Sequence, residues 1–413
     1  MKIEIGRMPK DEQLPLLLCG LFEQRGYRRY RMSNFEAYDL YRENKNFLQS
    51  EGIITFTDAT GRLMALKPDV TMSIVKQTKP DAAEQKLYYI EHVFRMAPQG
   101  GRYQEISQMG LEYIGGQGGY PEAEAVELAL KSLAAIGAQS ILNVGHMGFV
   151  TGLLDALGLT GDARASALAA LRDKNMQTLH DIANESSLPE EQTERLFELI
   201  SLAGWFGNML HAAADILADL KKEAAFPKTA DVPKAAVSRT MAGIQAMTVA
   251  LEELWDLYDA LNALGVRGVL QLDFSTLNDM DYYNGVVFKG YVKGVPRAVL
   301  SGGRYDHLMR RFEKPQAAVG FALYLSELNR LFQEEREYDV DTLLLYDGQS
   351  PSGPVAAAVR TLSAQGSVFA ASTQPEGLRA RRTVHLKGTA FLQEQPAGNW
   401  QETPREKGGD GTC

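Results

Sequence analysis

Cysteine is almost absent from this chain of 413 residues, which contains only Cys19 and Cys413. Two cysteines cannot build a disulfide framework or a cysteine-ligated zinc site. Long apolar runs are missing as well, since no stretch of about 18 apolar residues occurs and the N-terminal apolar run is short and interrupted. These absences predict a reducing, cytoplasmic location with no secretion signal and no membrane span.

Basic residues are in deficit, with 43 Lys and Arg against 52 Asp and Glu, which gives a net charge of −9 at pH 7. Because a negative field repels polyanions, we expect no nucleic acid partner. The six histidines are never spaced i, i+4 and do not lie near paired carboxylates, which argues against a metal site. Glycine-rich phosphate-binding motifs are absent too, so no cofactor is expected.

Apolar material is ample, because 45% of the residues are hydrophobic, a fraction typical of a globular protein with a sizeable core. An amphipathic helix is predicted over 11–26 and another helix over 122–136. A glycine-rich turn is predicted over 301–306 and a further helix after Ala317. Short β-type runs predict strands at 53–57, 63–66, 87–94, 106–114, 138–144, 268–274, 286–291 and 297–300.

The distribution of these signals predicts a split domain. Residues 151–265 are almost entirely helical in character and indicate an insertion. We therefore expect one α+β core, an antiparallel sheet flanked by helices, built from 1–150 and 266–335. A small α/β module is expected over 339–392, and the polar, glycine-rich stretch 393–413 is expected to be a disordered tail.

Three segments carry more polar side chains than a core needs. In the first, Leu66–Thr71, Pro68 ends a strand, and Asp69 and Thr71 stand where a new helix begins. Both residue types are good helix caps, so capping alone is the simpler interpretation of this segment.

The second segment joins a strand ending at Arg95 to another strand through a loop that holds Arg102. On the second strand Gln108, Gly110 and Glu112 alternate, so their side chains share one face. They would form a polar floor with room above the glycine. A solvated outer face of an antiparallel sheet is an equally good interpretation.

The third segment, Asn278–Asn284, is predicted to be strand and contains Tyr282 and Tyr283 beside Asp281. Adjacent tyrosines on a strand point to opposite faces, so both cannot be core residues. Asp281 offers a carboxylate, and the glycines at 302–303 allow a ligand to approach the backbone closely. A hairpin with turn glycines is the alternative.

Taken in order, LKPDVT (66–71), FR…GRY…QMGLE (94–112), DYYN…VF (281–288) and SGGRYD (301–306) resemble the catalytic domain of class II histidyl-tRNA synthetases, over roughly residues 10–335 less the insertion. The resemblance implies the class II fold, usually dimeric, and a pocket for free histidine. It implies that Asp69 holds the ammonium group, that Arg102 lies near the carboxylate, and that the tyrosines enclose the imidazole. The implied pocket consists of Asp69, Thr71, Arg102, Gln108, Glu112, Asp281, Tyr282 and Tyr283.

The nucleotide-binding residues of the synthetases are altered. Ala97 replaces the glutamate of motif 2, and Asn278 replaces an arginine near Asp281. In motif 3 Tyr324 replaces a glycine and Glu327 replaces an arginine. Losing a cationic donor for phosphate charge typically costs a factor of roughly 10² or more. A chain that keeps the histidine pocket and lacks this chemistry resembles the regulatory subunits of ATP phosphoribosyltransferase.

That resemblance implies a chain that is not an enzyme itself. It implies a self-dimer that joins the short-form catalytic subunit in a hetero-octamer, is required for its activity, and relays feedback inhibition by histidine. Two alternatives stay open from the residues alone. One is an active histidyl-tRNA synthetase-like ligase, and the other is a stand-alone histidine-binding protein.

Overall fold

The computed structural model describes residues 8–44, 52–81, 83–96, 101–225, 234–266, 270–277, 282–332, 337–388 and 390–396. The chain divides into two compact units, Met1–Phe332 and Gln333–Cys413. Over the described ranges, no helix combines the length and the apolar character needed to cross a bilayer.

The first unit mixes helices with strands along its whole length. Its helices are α1 (Lys10–Gln24), α2 (Tyr38–Arg42), α3 (Thr71–Gln77), α4 (Tyr120–Ala135), α5 (Met147–Ala156), α6 (Gly161–Arg172), α7 (Met176–Glu185), α8 (Glu190–Ser201), α9 (Phe206–Ala225), α10 (Lys234–Ala263), α11 (Asp306–Arg311) and α12 (Leu325–Phe332). Its strands are β1 (Arg28–Arg29), β2 (Phe35–Ala37), β3 (Thr55–Thr57), β4 (Leu63–Leu66), β5 (Gln85–Met96), β6 (Tyr103–Ile114), β7 (Ser140–His146), β8 (Ala203–Trp205), β9 (Leu270–Asp273), β10 (Val286–Val292), β11 (Leu300–Arg304) and β12 (Ala318–Tyr324).

A nine-stranded sheet organises this unit, in the order β1-β5-β6-β12-β11-β10-β7-β9-β8. Its pairings are antiparallel except for β1 with β5 and β7 with β9. β10, β11 and β12, which follow the long helical stretch in sequence, lie between β6 and β7, which precede it. Residues from both sides of that stretch therefore build one sheet, and the predicted α+β fold with an antiparallel sheet and flanking helices is confirmed.

The helical stretch contains one strand that the sequence pattern did not predict. β8 pairs with β9 in antiparallel orientation and forms an edge of the large sheet. Three residues are too few to show the alternating pattern of a strand, so the sequence does not reveal β8. Its strand conformation depends on the tertiary contacts that place it beside β9. In the same stretch α5 and α10 cross closely at glycines, since a Cβ atom on Gly243 would lie 2.4 Å from the carbonyl oxygen of Gly152.

Two predicted elements near the end of the unit are wrong. The expected turn over 301–306 is largely strand β11, and the segment after Ala317 begins as strand β12 before turning into α12. A short apolar run such as 318–324 cannot be assigned to strand or helix from its period. Gly302 permits the pairing of the two strands, because a Cβ atom there would lie 2.5 Å from the carbonyl oxygen of Gly320.

The second unit is a small α/β element. It consists of β13 (Val340–Tyr346), α13 (Ser352–Ser363), β14 (Val368–Ala371), β15 (Ala380–Lys387) and β16 (Ala390–Pro396). The strand order is β14-β13-β15-β16, with β13 parallel to both of its neighbours. β16 continues to Pro396 through its pairing with β15, past the predicted module end at 392, and the rest of the predicted tail lies outside the described residues. The buried core of the unit is Leu344, Ala358, Leu362, Val384 and Leu386.

Candidate functional site

The floor of the candidate site is made by β6 and β12. In their pairing Gln108 lies opposite Tyr324, and Glu112 lies opposite Gly320. Gln108 is 3% exposed and Glu112 is 2% exposed. The polar face of β6 is therefore buried, which excludes the interpretation of this face as a solvated outer surface.

The space above Gly110 is occupied by a side chain of the neighbouring strand. Tyr89 on β5 pairs with Gly110, and a Cβ atom on that glycine would lie 2.4 Å from the Tyr89 hydroxyl oxygen. Tyr89 is buried, and this burial raises its pKa well above the ordinary tyrosine value. The expected open room above the glycine is therefore filled by a phenol.

Glu112 is the central acid of the site. It accepts a 2.6 Å hydrogen bond from the Thr71 hydroxyl and a 2.7 Å bond from the Tyr305 hydroxyl. The carboxylate fits only because Gly320 has no side chain, since a Cβ atom there would lie 1.8 Å from Glu112 Oε2. Burial raises the pKa of Glu112 to about 8, against the opposing effect of its two hydrogen-bond donors.

Asp69 stands between the end of β4 and the start of α3. Its Oδ1 atom accepts a 2.7 Å hydrogen bond from the backbone N–H of Met72, so Asp69 does cap the helix as its residue type suggests. Its Oδ2 atom lies 3.6 Å from a guanidinium nitrogen of Arg95. Burial raises the pKa of Asp69, and the Arg95 charge opposes that rise. Capping and a role in the site are thus compatible.

Tyr282 and Tyr283 are not on a strand, because the chain enters β10 only at Val286. The expectation that their side chains point to opposite faces is therefore wrong. Their ring centroids are 4.6 Å apart, and Tyr305 packs 5.9 Å from Tyr282. Three phenol rings thus meet at one wall of the site. Asp281, like Asn278 and Ala97, lies outside the described residues.

These side chains line a narrow cavity in which about 30 Å³ is open to the centre of a water molecule. Six of the eight pocket residues implied by the sequence line it, namely Asp69, Thr71, Gln108, Glu112, Tyr282 and Tyr283. Arg102 does not line it and is exposed just before β6. Lining residues outside the sequence-based set are Tyr89, Arg95, Ser301, Tyr305, Gly320, Phe321, Ala322 and Tyr324.

Among the described residues that line the cavity, Arg95 is the only cation. Its Nε atom donates a 2.7 Å hydrogen bond to the carbonyl oxygen of Pro68, which holds the guanidinium beside Asp69. The sequence signal for Arg95 was its place at the end of a strand that precedes a glycine-rich loop. Tyr305 gave a weaker signal, since only the pairing of β11 with distant strands brings it to Glu112.

The chemistry of the cavity suits a small zwitterion with an aromatic or heteroaromatic group. Two carboxylates can pair with an ammonium group, a guanidinium can pair with a carboxylate, and phenol rings can enclose a flat ring. Within the described ranges, no group of three or more His, Cys, Asp or Glu side chains could hold a metal ion.

Comparison with known proteins identifies the family. The histidyl-tRNA synthetase family model matches residues 7–328. An ATP phosphoribosyltransferase regulatory subunit from Moorella thermoacetica is 30% identical over 396 residues, which cover 94% of this chain and 89% of that protein. The chain belongs to the ATP phosphoribosyltransferase regulatory subunit family. It is accordingly a non-catalytic member of an enzyme complex, built on the histidyl-tRNA synthetase domain.

Solved structures show the same fold. A protein from Bacillus halodurans described as an ATP phosphoribosyltransferase regulatory subunit/histidyl-tRNA synthetase has a TM-score of 0.70 at 22% identity, covering 92% of this chain and 96% of that one. A chain of the ATP phosphoribosyl transferase (HisG:HisZ) complex from Thermotoga maritima has a TM-score of 0.53 at 17% identity, covering 76% and 97%. The class II fold implied by the sequence motifs is thereby confirmed.

In this regulatory-subunit family member, two of the altered synthetase positions lie among the described residues, and one of them lines the cavity. Tyr324, the last residue of β12, lines the cavity opposite Gln108. Glu327 lies in the first turn of α12, the helix that follows directly. A bulky phenol and an extra carboxylate thus stand where the resemblance implies a glycine and an arginine.

Proposed function

We propose that this chain is the histidine-sensing regulatory subunit of ATP phosphoribosyltransferase and that the short-form catalytic subunit requires it for activity. The observation that carries the proposal is the cavity in which Asp69, Glu112 and Arg95 are brought together with two tyrosine rings in tilted contact. The names of its relatives and the HisG:HisZ complex support a partner role.

Each part of histidine has a chemically matched partner in the proposed site. Asp69 would hold the ammonium group, as the sequence motifs imply, with Thr71 beside it. Arg95 is well placed to bind the carboxylate group, because a guanidinium pairs with a carboxylate through two parallel hydrogen bonds. Tyr282 and Tyr283 would enclose the imidazole. Arg102 and Asp281 remain predicted members of the site.

The small volume of the cavity supports a conformational response to the ligand. Only about 30 Å³ of the cavity is open to water centres, and we propose that side chains of its wall move when the amino acid binds. A ligand shifts an equilibrium only through its different affinities for two states. Coupling of this kind is usually worth about 1–3 kcal/mol, enough for feedback inhibition through a subunit interface.

The proposed assembly follows the resemblance. We propose a self-dimer that joins the catalytic subunit in a cytoplasmic hetero-octamer. Analytical ultracentrifugation of the two purified chains, alone and mixed, measures both stoichiometries.

The proposed function is tested by mixing the purified chain with the short-form catalytic subunit, phosphoribosyl pyrophosphate and ATP. We expect phosphoribosyl transfer to require both chains and to be inhibited by free histidine. Replacing Arg95 by Ala should weaken histidine binding in calorimetry, and the same measurement on Arg102→Ala tests whether the second predicted cation contributes. Transfer at equal rates with and without this chain would contradict the proposal.

A further inference from the structure

A second, larger cavity lies on the opposite face of the strands that carry the candidate site. Side chains alternate between the two faces of a strand, so neighbouring residues line different cavities. Glu112 and Tyr305 line the first cavity, whereas Tyr113 and Arg304 line the second. About 1000 Å³ of the second cavity is open to the centre of a water molecule, and α10 forms part of its wall.

The second cavity carries an excess of negative charge. Among the described residues that line it, Arg304 is the only cation, and it pairs with Glu122 at 2.9 Å and with Asp306 at 2.8 Å. Three of the carboxylates have no hydrogen-bond or ion-pair partner within the described part of the chain. The acidic residues lining the cavity are Asp81, Glu84, Glu122, Glu252, Glu253 and Asp256, and those without a partner are Asp81, Glu252 and Asp256.

An exposed apolar stripe of α10 leads to this cavity. Val237 is 47% exposed, Met241 is 52% exposed and Val249 is 42% exposed. Spacings of four and eight residues place the three side chains on one face of the helix, where the exposed polar Gln245 lies between Met241 and Val249. Glu252 and Asp256 lie on the same face of α10, about one and two turns beyond Val249, and both line the cavity. We call Val237, Met241 and Val249 together with the acidic cavity the α10 surface.

We propose that the α10 surface binds a basic amphipathic segment of a partner protein. An apolar stripe that leads to a cluster of carboxylates matches a helix with apolar side chains on one face and Lys or Arg at one end. Resting on the function proposed above, we assign this segment to the short-form catalytic subunit. A second copy of this chain is less suitable, because it carries the same net charge of −9.

This location offers a direct route from partner binding to the histidine site. Arg304 and Tyr305 are adjacent in the chain, and so are Tyr113 and Glu112. A partner cation that competes for Glu122 would disturb Arg304, and a shift of its backbone would move Tyr305, whose hydroxyl donates to Glu112. The two cavities are thus separated only by the thickness of a single sheet.

The test measures affinity for the purified catalytic subunit by calorimetry, with histidine affinity as a second readout. One variant combines Glu252→Gln with Asp256→Asn, and another combines Met241→Glu with Val249→Glu. The control combines Glu194→Gln with Asp215→Asn, an equal change of charge at exposed positions of α8 and α9 that do not line the cavity. Thermal unfolding confirms that each variant is folded.

We expect each α10-surface variant to bind the catalytic subunit roughly tenfold more weakly, and the control to bind like the wild type. Histidine affinity of the isolated variants should be unchanged. If the wild type binds the catalytic subunit and the folded α10-surface variants bind equally well, the inference is overturned while the proposed function stands. If the wild type does not bind the catalytic subunit, both fail. Loss of self-association in the variants, with unchanged affinity for the catalytic subunit, would assign the surface to a second copy and overturn the inference.

Discussion

Glu112 should make the stability of this protein fall as the pH rises. Its pKa in the folded chain is about 8, against an ordinary glutamate value of 4.5, because the side chain is buried. The folded state therefore binds a proton that the unfolded state has released between these two values. A group with a raised pKa contributes stability that is complete below about pH 4.5 and is lost as the pH rises to about 8.

The size of the effect follows from the difference of about 3.5 pH units between the two values. At about 1.36 kcal/mol per unit the full loss is about 5 kcal/mol, and about 3 kcal/mol of it develops between pH 5 and pH 8. Glu112→Gln removes the titration while preserving the shape of the side chain. We expect the variant to gain about 3 kcal/mol relative to wild type over that interval.

The measurement is urea unfolding of the wild type and of Glu112→Gln at several pH values. Comparison of the two proteins cancels the titration of all other groups. Glu105→Gln is a suitable control, because Glu105 is an exposed carboxylate on the same strand. Parallel stability profiles for the wild type and Glu112→Gln would refute the argument that burial keeps this carboxyl protonated near neutral pH.

Three further outcomes are expected. The purified chain should show no histidine-dependent pyrophosphate exchange above a blank, because Glu327 adds negative charge where the resemblance implies a phosphate-binding arginine. The complex carrying Asp69→Ala should keep phosphoribosyl transfer activity and lose most of its inhibition by histidine, because the coupling of about 1–3 kcal/mol between histidine binding and the catalytic subunit disappears. If the mutant complex were as sensitive to histidine as the wild type, the histidine sensor would lie on the catalytic chain. Gly320→Ala should destabilise the fold by about 2–4 kcal/mol in urea unfolding, since the new methyl group would meet both Glu112 and the Leu111 carbonyl oxygen. Gly20→Ala on α1 is the control and should not destabilise the fold, because nothing lies within 4 Å of the added methyl group.

The parts of the site that the sequence predicts are those with a local signal. Proline after an apolar run marks the end of β4, and the alternation along β6 places Gln108 and Glu112 on one face. Tyr305 and Arg95 could not be assigned to the cavity in this way, because Tyr305 reaches Glu112 only through the pairing of β12 with β6 and Arg95 is held beside Asp69 by its bond to the Pro68 carbonyl oxygen. Tyr282 was misassigned because a turn before β10, and not a strand, directs its side chain.

The acids of the cavity carry an energetic cost that a cationic group of a ligand would offset. Burying a carboxylate such as Glu112 or Asp69 without a full counter-charge is unfavourable, and the raised pKa values of both groups express that cost. Apolar residues of similar volume at these positions would pack without that energetic cost. A site that retains these two acids beside Arg95, on a floor where Gly320 makes room for one of them, gains a further cationic partner when a ligand brings an ammonium group.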